Sequence, residues 1–378
     1  MATNKTDKVL NVPTLRFPGF TEEWQKSALG DICTVQMCKR IFAHQTSEVG
    51  DVPFYKIGTI GGIPDSYISK ELFDEYRCKY NYPQQGEVMI TCAGTVGKAI
   101  PFDGADSYFQ DSNIVWLSNP TDKINNKFLY YIISRVDWSR LNSTTITRIY
   151  NDDLRKLGIS YPNRTEQKKI ADFLSLLDDR IALQSKLIED LKKLKSAIRA
   201  NIFQRLKNAP THTKSGAELL LYEQPTKYIV EDYEYSSDKT QTPVLTANKS
   251  LILGYTSENF GVYDKGNCII LDDFTLDMKF ITFPFKVKSS AIKILTAKCG
   301  VNLRFIFEQL QWMGLTPLGH NRHYISMVEP MQFYCPSIEV QRNIAQLLDK
   351  ADDKLRNELQ LLELLIKQKS FLLSAMFI

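Results

Sequence analysis

Residues 161–174 read Tyr-Pro-Asn-Arg-Thr-Glu-Gln-Lys-Lys-Ile-Ala-Asp-Phe-Leu, and residues 335–348 read Cys-Pro-Ser-Ile-Glu-Val-Gln-Arg-Asn-Ile-Ala-Gln-Leu-Leu. A shift of 174 residues superimposes them and aligns 148–203 with 322–377 without a gap. Sixteen of these 56 positions are identical, including the proline and a later Asp-Asp pair. Two unrelated helices would share composition but not these features in phase, so the chain contains an internal repeat.

Each copy of the repeat predicts one long helix. Asn163 and Glu166 form a capping-box pattern after Pro162, and Ser337 follows Pro336 in the second copy. Neither 163–207 nor 337–378 contains Pro or Gly, and apolar residues recur in alternating steps of four and three. This spacing is typical of a coiled-coil seam. Because a globular segment separates the copies, we expect the two helices to pack antiparallel about a pseudo-twofold axis.

Two further features mark these helices. Gln184 and Glu358 are polar seam positions near the two midpoints, which predicts that they lie near the axis, either setting the register or simply tolerated there. Apolar residues also widen the stripes beyond the seam. They either pack against the chain's own domains or form a docking surface for another protein. They are Phe173, Leu187, Leu194, Phe203, Leu347, Leu361 and Phe377.

Composition excludes several classes of protein. The chain has 378 residues, 47 Lys and Arg against 43 Asp and Glu, and 43% hydrophobic residues, so wholesale disorder is excluded and no bulk charge attracts a polyanion. No apolar run approaches the ~20 residues of a membrane span. The N-terminus lacks a secretory signal, and seven cysteines without a Cys-x-x-Cys pair indicate reduced thiols. We therefore expect a cytoplasmic protein.

The segments between the helices predict mixed α/β modules. Strand-like runs cover 53–57, 87–91 and 113–117 in the first and 242–246, 268–271 and 279–283 in the second, with helices at 126–136 and 302–313. The front halves do not align by sequence, although the 174-residue shift places Leu129 on Leu303. The predicted fold is therefore α/β (α+β), with two globular domains of one fold. The domains are 1–162, a long helix at 163–207, 208–336 and a second long helix at 337–378.

No catalytic motif stands out. Gly94-Thr-Val-Gly-Lys98 lacks the first glycine and the Ser/Thr of a phosphate-binding loop, and Gly58–Gly62 has the wrong spacing for a dinucleotide fingerprint. His320 and His323 have no neighbouring Cys or carboxylates to complete a metal set. A nuclease interpretation would rest on three acids that fit a solvated turn equally well, namely Asp272, Asp273 and Asp277.

A binding function fits better. The loops that precede each long helix are rich in side chains that contact bases and phosphates, such as Arg, Asn, Thr and Tyr. Two related modules on a rigid helical support suit the reading of two separate DNA half-sites. Arg148 and Arg322 are equivalent in the repeat, so a shared role in backbone positioning is favoured over base reading. The alternative is that they brace the loop against the helix start.

Several motifs together resemble a known family, the specificity subunit of bacterial type I restriction–modification systems. The motifs run in order through nearly the whole chain. They are Leu15-Arg-Phe-Pro-Gly-Phe-Thr-Glu-Glu-Trp24, Gly86-Glu-Val-Met-Ile-Thr-Cys-Ala-Gly-Thr-Val-Gly97, the two helix starts quoted above, Thr242-Pro-Val-Leu-Thr246 and Lys286-Val-Lys-Ser-Ser290.

The resemblance implies two target-recognition domains and two long antiparallel helices in a subunit without catalysis of its own. It further implies double-stranded DNA, two methyltransferase subunits and two restriction (translocase) subunits as partners. S-adenosylmethionine, ATP and Mg would be held by those partners, with no cofactor or metal in this chain. Each domain would read one half of a bipartite, asymmetric target, in a bacterial cytoplasm at the nucleoid.

The resemblance assigns candidate DNA-contact residues by their position in each module. In the first they are Lys39, Arg40, Lys56, Thr91, Thr95, Lys98, Arg140, Asn142, Thr144, Thr145, Arg148 and Tyr150. In the second they are Lys239, Thr246, Lys249, Tyr255, Lys279, His320, Asn321, Arg322, His323 and Tyr324. Three alternatives stay open. They are the DNA-reading chain of a two-chain restriction enzyme that cuts on both sides of its site, a stand-alone nuclease or methyltransferase, and a coiled-coil scaffold without nucleic acid.

Overall fold

The structure is a computed structural model that describes residues 10–121, 123–141, 148–247, 250–319 and 321–378. Contacts divide the chain into two compact units, Met1–Gln184 with Leu361–Ile378, and Ser185–Gln360. Each unit therefore combines one module with one part of each long helix. No helix in the described ranges is both long and apolar enough to cross a membrane.

The two predicted long helices are the dominant elements of the chain. Their predicted bounds of 163–207 and 337–378 lie close to the observed bounds, Arg164–Asn208 and Ile338–Ala375. The helices are α1 Lys70–Lys79, α2 Asn126–Arg135, α3 Asn151–Lys156, α4 Arg164–Asn208, α5 Gly216–Leu219, α6 Leu303–Met313 and α7 Ile338–Ala375.

The first long helix begins as the sequence predicts, with one difference. The Asn163 side chain accepts a hydrogen bond from the Glu166 N–H at 3.0 Å, which satisfies an otherwise unpaired donor of the first turn. The Glu166 carboxylate does not return to Asn163 to complete a capping box. It is fully buried and binds the Arg16 guanidinium at 2.6 and 2.7 Å. The hydrogen bond to Glu166 raises the pKa of Arg16.

The first module forms a two-stranded ribbon and two small sheets. The strands are β1 Gln25–Ala28, β2 Thr34–Gln36, β3 Val52–Tyr55, β4 Tyr67–Ile68, β5 Val88–Thr91, β6 Ala99–Pro101, β7 Tyr108–Phe109, β8 Ile114–Ser118 and β9 Gly158–Tyr161. The ribbon pairs β1 with β9, and the sheets have the orders β2-β8-β5-β6 and β4-β3-β7. All these pairs are antiparallel except β3 with β7.

The second module repeats this arrangement strand for strand. Its strands are β10 Thr213–Ser215, β11 Leu220–Glu223, β12 Thr242–Leu245, β13 Ile252–Thr256, β14 Cys268–Asp272, β15 Met278–Ile281, β16 Lys286–Val287, β17 Ile292–Ala297 and β18 Gln332–Tyr334. They pair as β10-β18, β11-β17-β14-β15 and β13-β12-β16, with β12 and β16 as the parallel pair. Each strand of the second module therefore pairs like the strand numbered nine lower in the first module. This confirms two domains of one fold.

Burial explains which strands are central. In β5, Val88, Met89 and Ile90 are all buried, as are Cys268 to Leu271 in β14, so both are apolar runs covered on two faces rather than alternating strands. The main core of the first unit joins β5 and β8 to α2, the start of α4 and the end of α7. In the second unit, β14, β17 and α6 share a core with Phe203 near the end of α4.

The two long helices pack antiparallel, as predicted, because the start of one lies beside the end of the other in each unit. In the first unit Ile170 and Leu174 share a core with Leu372 and Met376. In the second unit Ile344 packs on the core that contains Phe203.

Equivalent ion pairs link the helices. The Lys369 ammonium lies 2.5 Å from the Asp178 carboxylate in the first unit, and the Lys195 ammonium lies 2.5 Å from that of Asp352 in the second. Both partners are related by the 174-residue shift, so the repeat places the same contact in both units. Gln184 and Glu358 are buried, and their predicted role in setting the register stays a prediction.

The repeat extends into the modules with a different shift from the one expected. Asn125 caps α2 and Asn302 caps α6, and the backbone N–H of each donates to a glutamine of the long helix, to Gln167 at 2.7 Å and to Gln341 at 3.0 Å. The glutamines are 174 residues apart, but the asparagines are 177 apart. The expected alignment of Leu129 with Leu303 is therefore wrong by three residues, because the second connection to the long helix is three residues shorter.

Candidate nucleic-acid interface

Four segments of the first module meet at one edge of its sheets, and we call them the first loop cluster: 56–62, 92–98, 110–113 and 148–150. Backbone hydrogen bonds connect them, from Cys92 N to Asn113 O at 2.7 Å and from Ile149 N to Cys92 O at 2.9 Å. The Lys98 ammonium donates to the Ile60 carbonyl at 2.7 Å. The cluster brings together candidate residues that lie up to 94 positions apart, from 56 to 150.

Glycine allows the 92–98 segment to turn this tightly. Gly97 has φ +81°, and a β-carbon there would lie 1.9 Å from the Trp138 ring, so the backbone rests directly on the indole. Gly94 has φ +65°, with Ile57 2.9 Å from its ideal β-carbon position. These glycines serve close packing and left-handed backbone conformations, which explains the superficial likeness to a phosphate-binding loop.

Arg148 braces the first loop cluster. Its guanidinium donates to the Ser112 carbonyl at 3.2 Å and lies 5.9 Å from the centre of the Tyr150 ring. Burial raises the pKa of the neighbouring Cys92 thiol to about 11, and the charge of Arg148 opposes that rise. This arrangement favours the bracing alternative for Arg148, while Tyr150 stays exposed at the start of α3.

Two other candidate cations of the first module, Arg40 and Lys56, form ion pairs with acidic neighbours. Arg40 binds Asp111 at 2.9 Å, and Lys56 binds Asp65 at 3.1 Å. These pairs are exposed to solvent, where an ion pair contributes at most about 1 kcal/mol and exchanges readily. They can therefore give way to phosphate oxygens at small cost.

The second module has an equivalent second loop cluster, formed by 246–247 with 250–251, 272–277, 288–291 and 321–324. The same two backbone bonds recur, from Asp273 N to Ala291 O at 2.8 Å and from His323 N to Asp273 O at 2.9 Å. The π-helical turn Tyr324–Val328 stands where α3 stands in the first module. Equivalent loops therefore surround both edges, although their side chains differ.

A buried ion pair supports the second loop cluster. The Asp273 carboxylate accepts hydrogen bonds from the backbone N–H groups of His323 at 3.1 Å and Tyr324 at 2.8 Å. Its other oxygen lies 3.4 Å from the ammonium of Lys293, which also donates to Gln224 at 3.1 Å. Cys92 and Val115 hold the equivalent positions in the first module, so the two modules fix the same loop by different chemistry.

Two of the three acids of the nuclease interpretation, Asp272 and Asp273, have structural roles. The Asp272 carboxylate accepts hydrogen bonds from the Phe274 and Thr275 N–H groups, both at 2.9 Å, and closes the turn after β14. Asp273 anchors the 323–324 backbone as described. Among the described residues no three His, Cys, Asp or Glu side chains are grouped to hold a metal ion.

The structure corrects three of the candidate DNA-contact residues. Thr91, His323 and Tyr324 are almost fully buried, at 0%, 2% and 1% exposure, so their side chains cannot reach a DNA surface. The Thr91 hydroxyl instead donates to the Thr95 carbonyl and accepts from Lys98 N, which fixes the loop.

The other described candidates are at least partly accessible, and their contact with DNA stays a prediction. Exposed candidates are Lys39, Arg40, Thr95, Lys98, Tyr150, Lys239, Asn321 and Arg322. Half-buried candidates are Lys56, Arg148, Thr246, Tyr255 and Lys279. Outside the described residues lie Asn142, Thr144, Thr145, Lys249 and His320, together with the side chain of Arg140.

The predicted docking residues on the helices divide into buried, half-buried and exposed side chains. Phe203 and Phe377 are buried in the cores of their own units, stacked on Trp312 and Phe128, so the alternative of packing against the chain's own domains holds for them and the docking alternative is wrong. Leu361 is half-buried against the first core. Phe173, Leu187, Leu194 and Leu347 are 38–55% exposed.

Comparison with known proteins places the first module in a family. Residues 21–193 match the family described as "Type I restriction modification DNA specificity domain". The first module is similar to this specificity domain. The resemblance inferred from the motifs is thereby confirmed for these residues. The match runs from just before β1 into α4, so the specificity domain contains the whole first loop cluster.

Two curated relatives carry related names. The chain is 48% identical over 163 residues to a putative type I restriction enzyme specificity subunit of Haemophilus influenzae, covering 43% of this chain and 42% of that protein. It is 40% identical over 147 residues to a type I restriction enzyme specificity subunit of Escherichia coli, covering 35% and 36%. The chain thus matches about two fifths of the length of each relative.

Two solved structures share the fold over nearly the whole chain, so the likeness extends beyond the specificity domain. The type I restriction-modification S subunit from M. genitalium has a TM-score of 0.63 and 17% identity, and covers 97% of this chain and 99% of its own. A chain from a study of complex assembly and conformational transition in the type I R-M system has a TM-score of 0.52 and 13% identity, covering 96% and 98%. These structural matches therefore include the second module and both long helices in the shared fold.

Proposed function

We propose that this chain is the DNA-binding specificity subunit of a type I restriction–modification enzyme and reads a bipartite, asymmetric target. One observation carries the proposal: two modules with the same strand pairing present equivalent loop clusters with unlike side chains. A shared frame gives both modules the same way of approaching a duplex, while unlike side chains read different bases. The two half-sites should therefore differ in sequence.

Each loop cluster supplies both kinds of contact that a DNA reader needs. Exposed Arg40 and Lys98 suit phosphate oxygens around the first cluster, and Asn321 and Arg322 are exposed at the second. The Arg322 guanidinium has no hydrogen-bond or ion-pair partner among the described residues, whereas the Arg148 guanidinium donates to Ser112. Arg322 is therefore free to contact a base or a phosphate, although the repeat made the two arginines equivalent.

The repeat also supports two copies of one partner, which we propose to be the methyltransferase subunit. Similar clefts lie where each module meets the start of its long helix, with volumes of about 890 Å³ and 440 Å³. Lys168 lines the first and Arg342 the second, at positions related by the 174-residue shift. Phe173 and Leu347 are likewise equivalent and both exposed. Equivalent surfaces on one chain suit two identical subunits.

The chain itself would then be non-catalytic. We propose that it recruits, besides the methyltransferase, two restriction (translocase) subunits, and that S-adenosylmethionine, ATP and Mg bind to these partners. Such an assembly would act on DNA in the bacterial cytoplasm. The chain's own residues would position the target, and the partners would supply the chemistry.

Mapping adenine methylation tests the proposal. The chain is coexpressed with its methyltransferase subunit, and methylated adenines are located across a genome. We expect one split motif with unlike halves, and no methylation when the chain is left out. A motif that is unsplit, or methylation that does not depend on this chain, contradicts the proposal.

Native mass spectrometry of the same complex tests the partner surface. Phe173→Asp should reduce two bound methyltransferase subunits to one, and adding Leu347→Asp should remove the second. The matched control is Val49→Asp, because Val49 is 84% exposed and lies away from the helices. Two subunits still bound to the double variant would contradict the surface assignment.

A further inference from the structure

An open cleft of about 690 Å³ lies at the second loop cluster and combines apolar surface with several polar side chains. Thr246, Asp272, Asp277, Lys288 and Ser289 line it. Thr246 follows β12, Asp277 precedes β15, and Lys288 follows β16, so three separate loops converge there. A concave site lined by a few fixed polar groups is the usual form of a site that reads a small chemical unit.

One acid and one base of this cleft have side-chain atoms left to bind a ligand. Asp277 is exposed to solvent, and its carboxylate accepts a hydrogen bond from the Thr275 hydroxyl at 3.2 Å. The Lys288 ammonium is exposed and has no hydrogen-bond or ion-pair partner in the described part of the chain. Asp272, by contrast, is buried, and its Oδ1 accepts hydrogen bonds from two backbone N–H groups of the turn.

The backbone beneath these two side chains is fixed. The Asp277 carbonyl accepts from Asp272 N at 2.9 Å, and Lys288 N donates to the Leu245 carbonyl at 3.1 Å. Leu276, next to Asp277, has the left-handed φ of 59° and a buried side chain, which anchors the turn. Both groups are therefore presented from rigid supports rather than from free loops, as specific readout requires.

The chemistry of the pair excludes a phosphate as the sole ligand. A carboxylate that faces DNA is repelled by the phosphates. It is favourable there only where it accepts a hydrogen bond from a base. Among the base edges of the major groove, Asp accepts from the cytosine N4 amino group, and Lys donates to guanine O6 and N7. The cytosine N4 amino group and the guanine O6 and N7 atoms belong to one C·G base pair and lie on its major-groove edge.

We propose that Asp277 and Lys288 read a C·G base pair in the half-site recognised by the second module, with Asp277 on cytosine N4 and Lys288 on guanine O6 and N7. The assignment rests on the proposed function, since it presumes that the second loop cluster faces DNA. Neither residue is among the DNA-contact candidates that the resemblance assigned, although Asp277 belonged to the nuclease interpretation. The first module lacks this acid–base pair, because the same strand register and backbone hydrogen bonds place Lys98 and Gln110 at the equivalent positions.

The test uses the complete complex of this chain with its methyltransferase. The methylation motif of the unaltered complex is mapped first, and methylation rates are then measured on duplexes in which each pair of the second half-site is replaced in turn. We expect a C·G pair in that half-site. Asp277→Ala and Lys288→Ala should each lower the preference for that pair by roughly 5- to 150-fold, the discrimination of one specific contact. Preferences at all other positions should stay unchanged.

Two matched controls accompany these variants. Asp264→Ala and Lys214→Ala remove an exposed acid and an exposed base of the same unit that lie outside the cleft, and both should leave every preference unchanged. Selectivity for the first half-site reports in the same reaction that each variant complex has folded and assembled.

Each outcome has a distinct meaning. The absence of any split motif removes the proposed function itself. Two outcomes overturn only the assignment of Asp277 and Lys288. One is a split motif whose second half contains no C·G pair, and the other is a C·G preference that both variants retain in full. A uniform rate loss on all duplexes in Lys288→Ala would assign that side chain to a phosphate and overturn the base-reading role.

Discussion

The buried pair of Asp273 and Lys293 offers the sharpest test of how the second loop cluster is held. Both side chains are 3% exposed, and their charged atoms lie 3.4 Å apart. Asp273→Asn retains an oxygen that can accept from the His323 and Tyr324 N–H groups, but it removes the negative charge. The Lys293 ammonium would then stay buried with the Gln224 carbonyl at 3.1 Å and the Tyr222 ring at 5.3 Å as its nearest partners.

The size of the expected effect follows from this geometry. Two unit charges 3.4 Å apart interact by about 5 kcal/mol at an effective dielectric constant of 20, which sets an upper scale. Removing one partner of a buried pair typically costs about 3–5 kcal/mol, because the other charge is left unpaired. We therefore expect Asp273→Asn to lower the free energy of opening of the second unit by about 3–5 kcal/mol. Adding Lys293→Met should restore most of it, since no buried charge remains.

Hydrogen exchange measured by mass spectrometry provides the assay, because it reports the opening free energy of each segment separately. Amides of β14 and β17 should exchange faster in Asp273→Asn and recover in the double variant. Amides of β5 and β8 in the first unit serve as the internal control and should not change. A single-variant cost below about 1 kcal/mol, or a double variant no more stable than Asp273→Asn, would refute the argument that the charge pair holds this loop.

Four further substitutions probe other parts of the chain by thermal or urea unfolding. Arg16→Met should cost about 3–5 kcal/mol, because it strands the fully buried Glu166 carboxylate, and unchanged stability would show that this carboxylate is not held by Arg16. Phe203→Ala should cost about 3–5 kcal/mol, whereas Leu194→Ala, at 55% exposure, should change stability by about 0.5 kcal/mol or less; equal effects would contradict the burial assigned here. Gly97→Ala should destabilise by more than about 1 kcal/mol, since its β-carbon would enter an indole ring and its φ is +81°, and a neutral result would mean that the loop packs differently.

The tertiary structure decided the arrangement of the modules, since that depends on contacts between residues far apart in the chain. The front halves do not align by sequence, yet their strands pair in the same order, because strand pairing tolerates any side chains that fill the same buried faces. An apolar stripe on a helix indicates that something covers it but not what. Hence Phe203 and Phe377 were predicted as docking residues and are core residues, whereas Phe173 stays exposed. The Asp273 carboxylate accepts hydrogen bonds from backbone about 50 residues away, at 323–324, and no local sequence pattern predicts this contact.

The sequence alone determined the parts of this protein that rest on local and periodic patterns. The 174-residue repeat, the helix starts at Asn163 and Ser337, the antiparallel helix pair and the main strands were all correctly predicted, because caps, turns and the spacing of apolar residues are properties of neighbouring positions. The repeat adds long-range information, because a contact that joins one long helix to the other is expected at the equivalent positions of both copies. Lys195 with Asp352 and Lys369 with Asp178 are that contact. Only the fold could decide which loop side chains meet at one edge, because that depends on how distant segments pack.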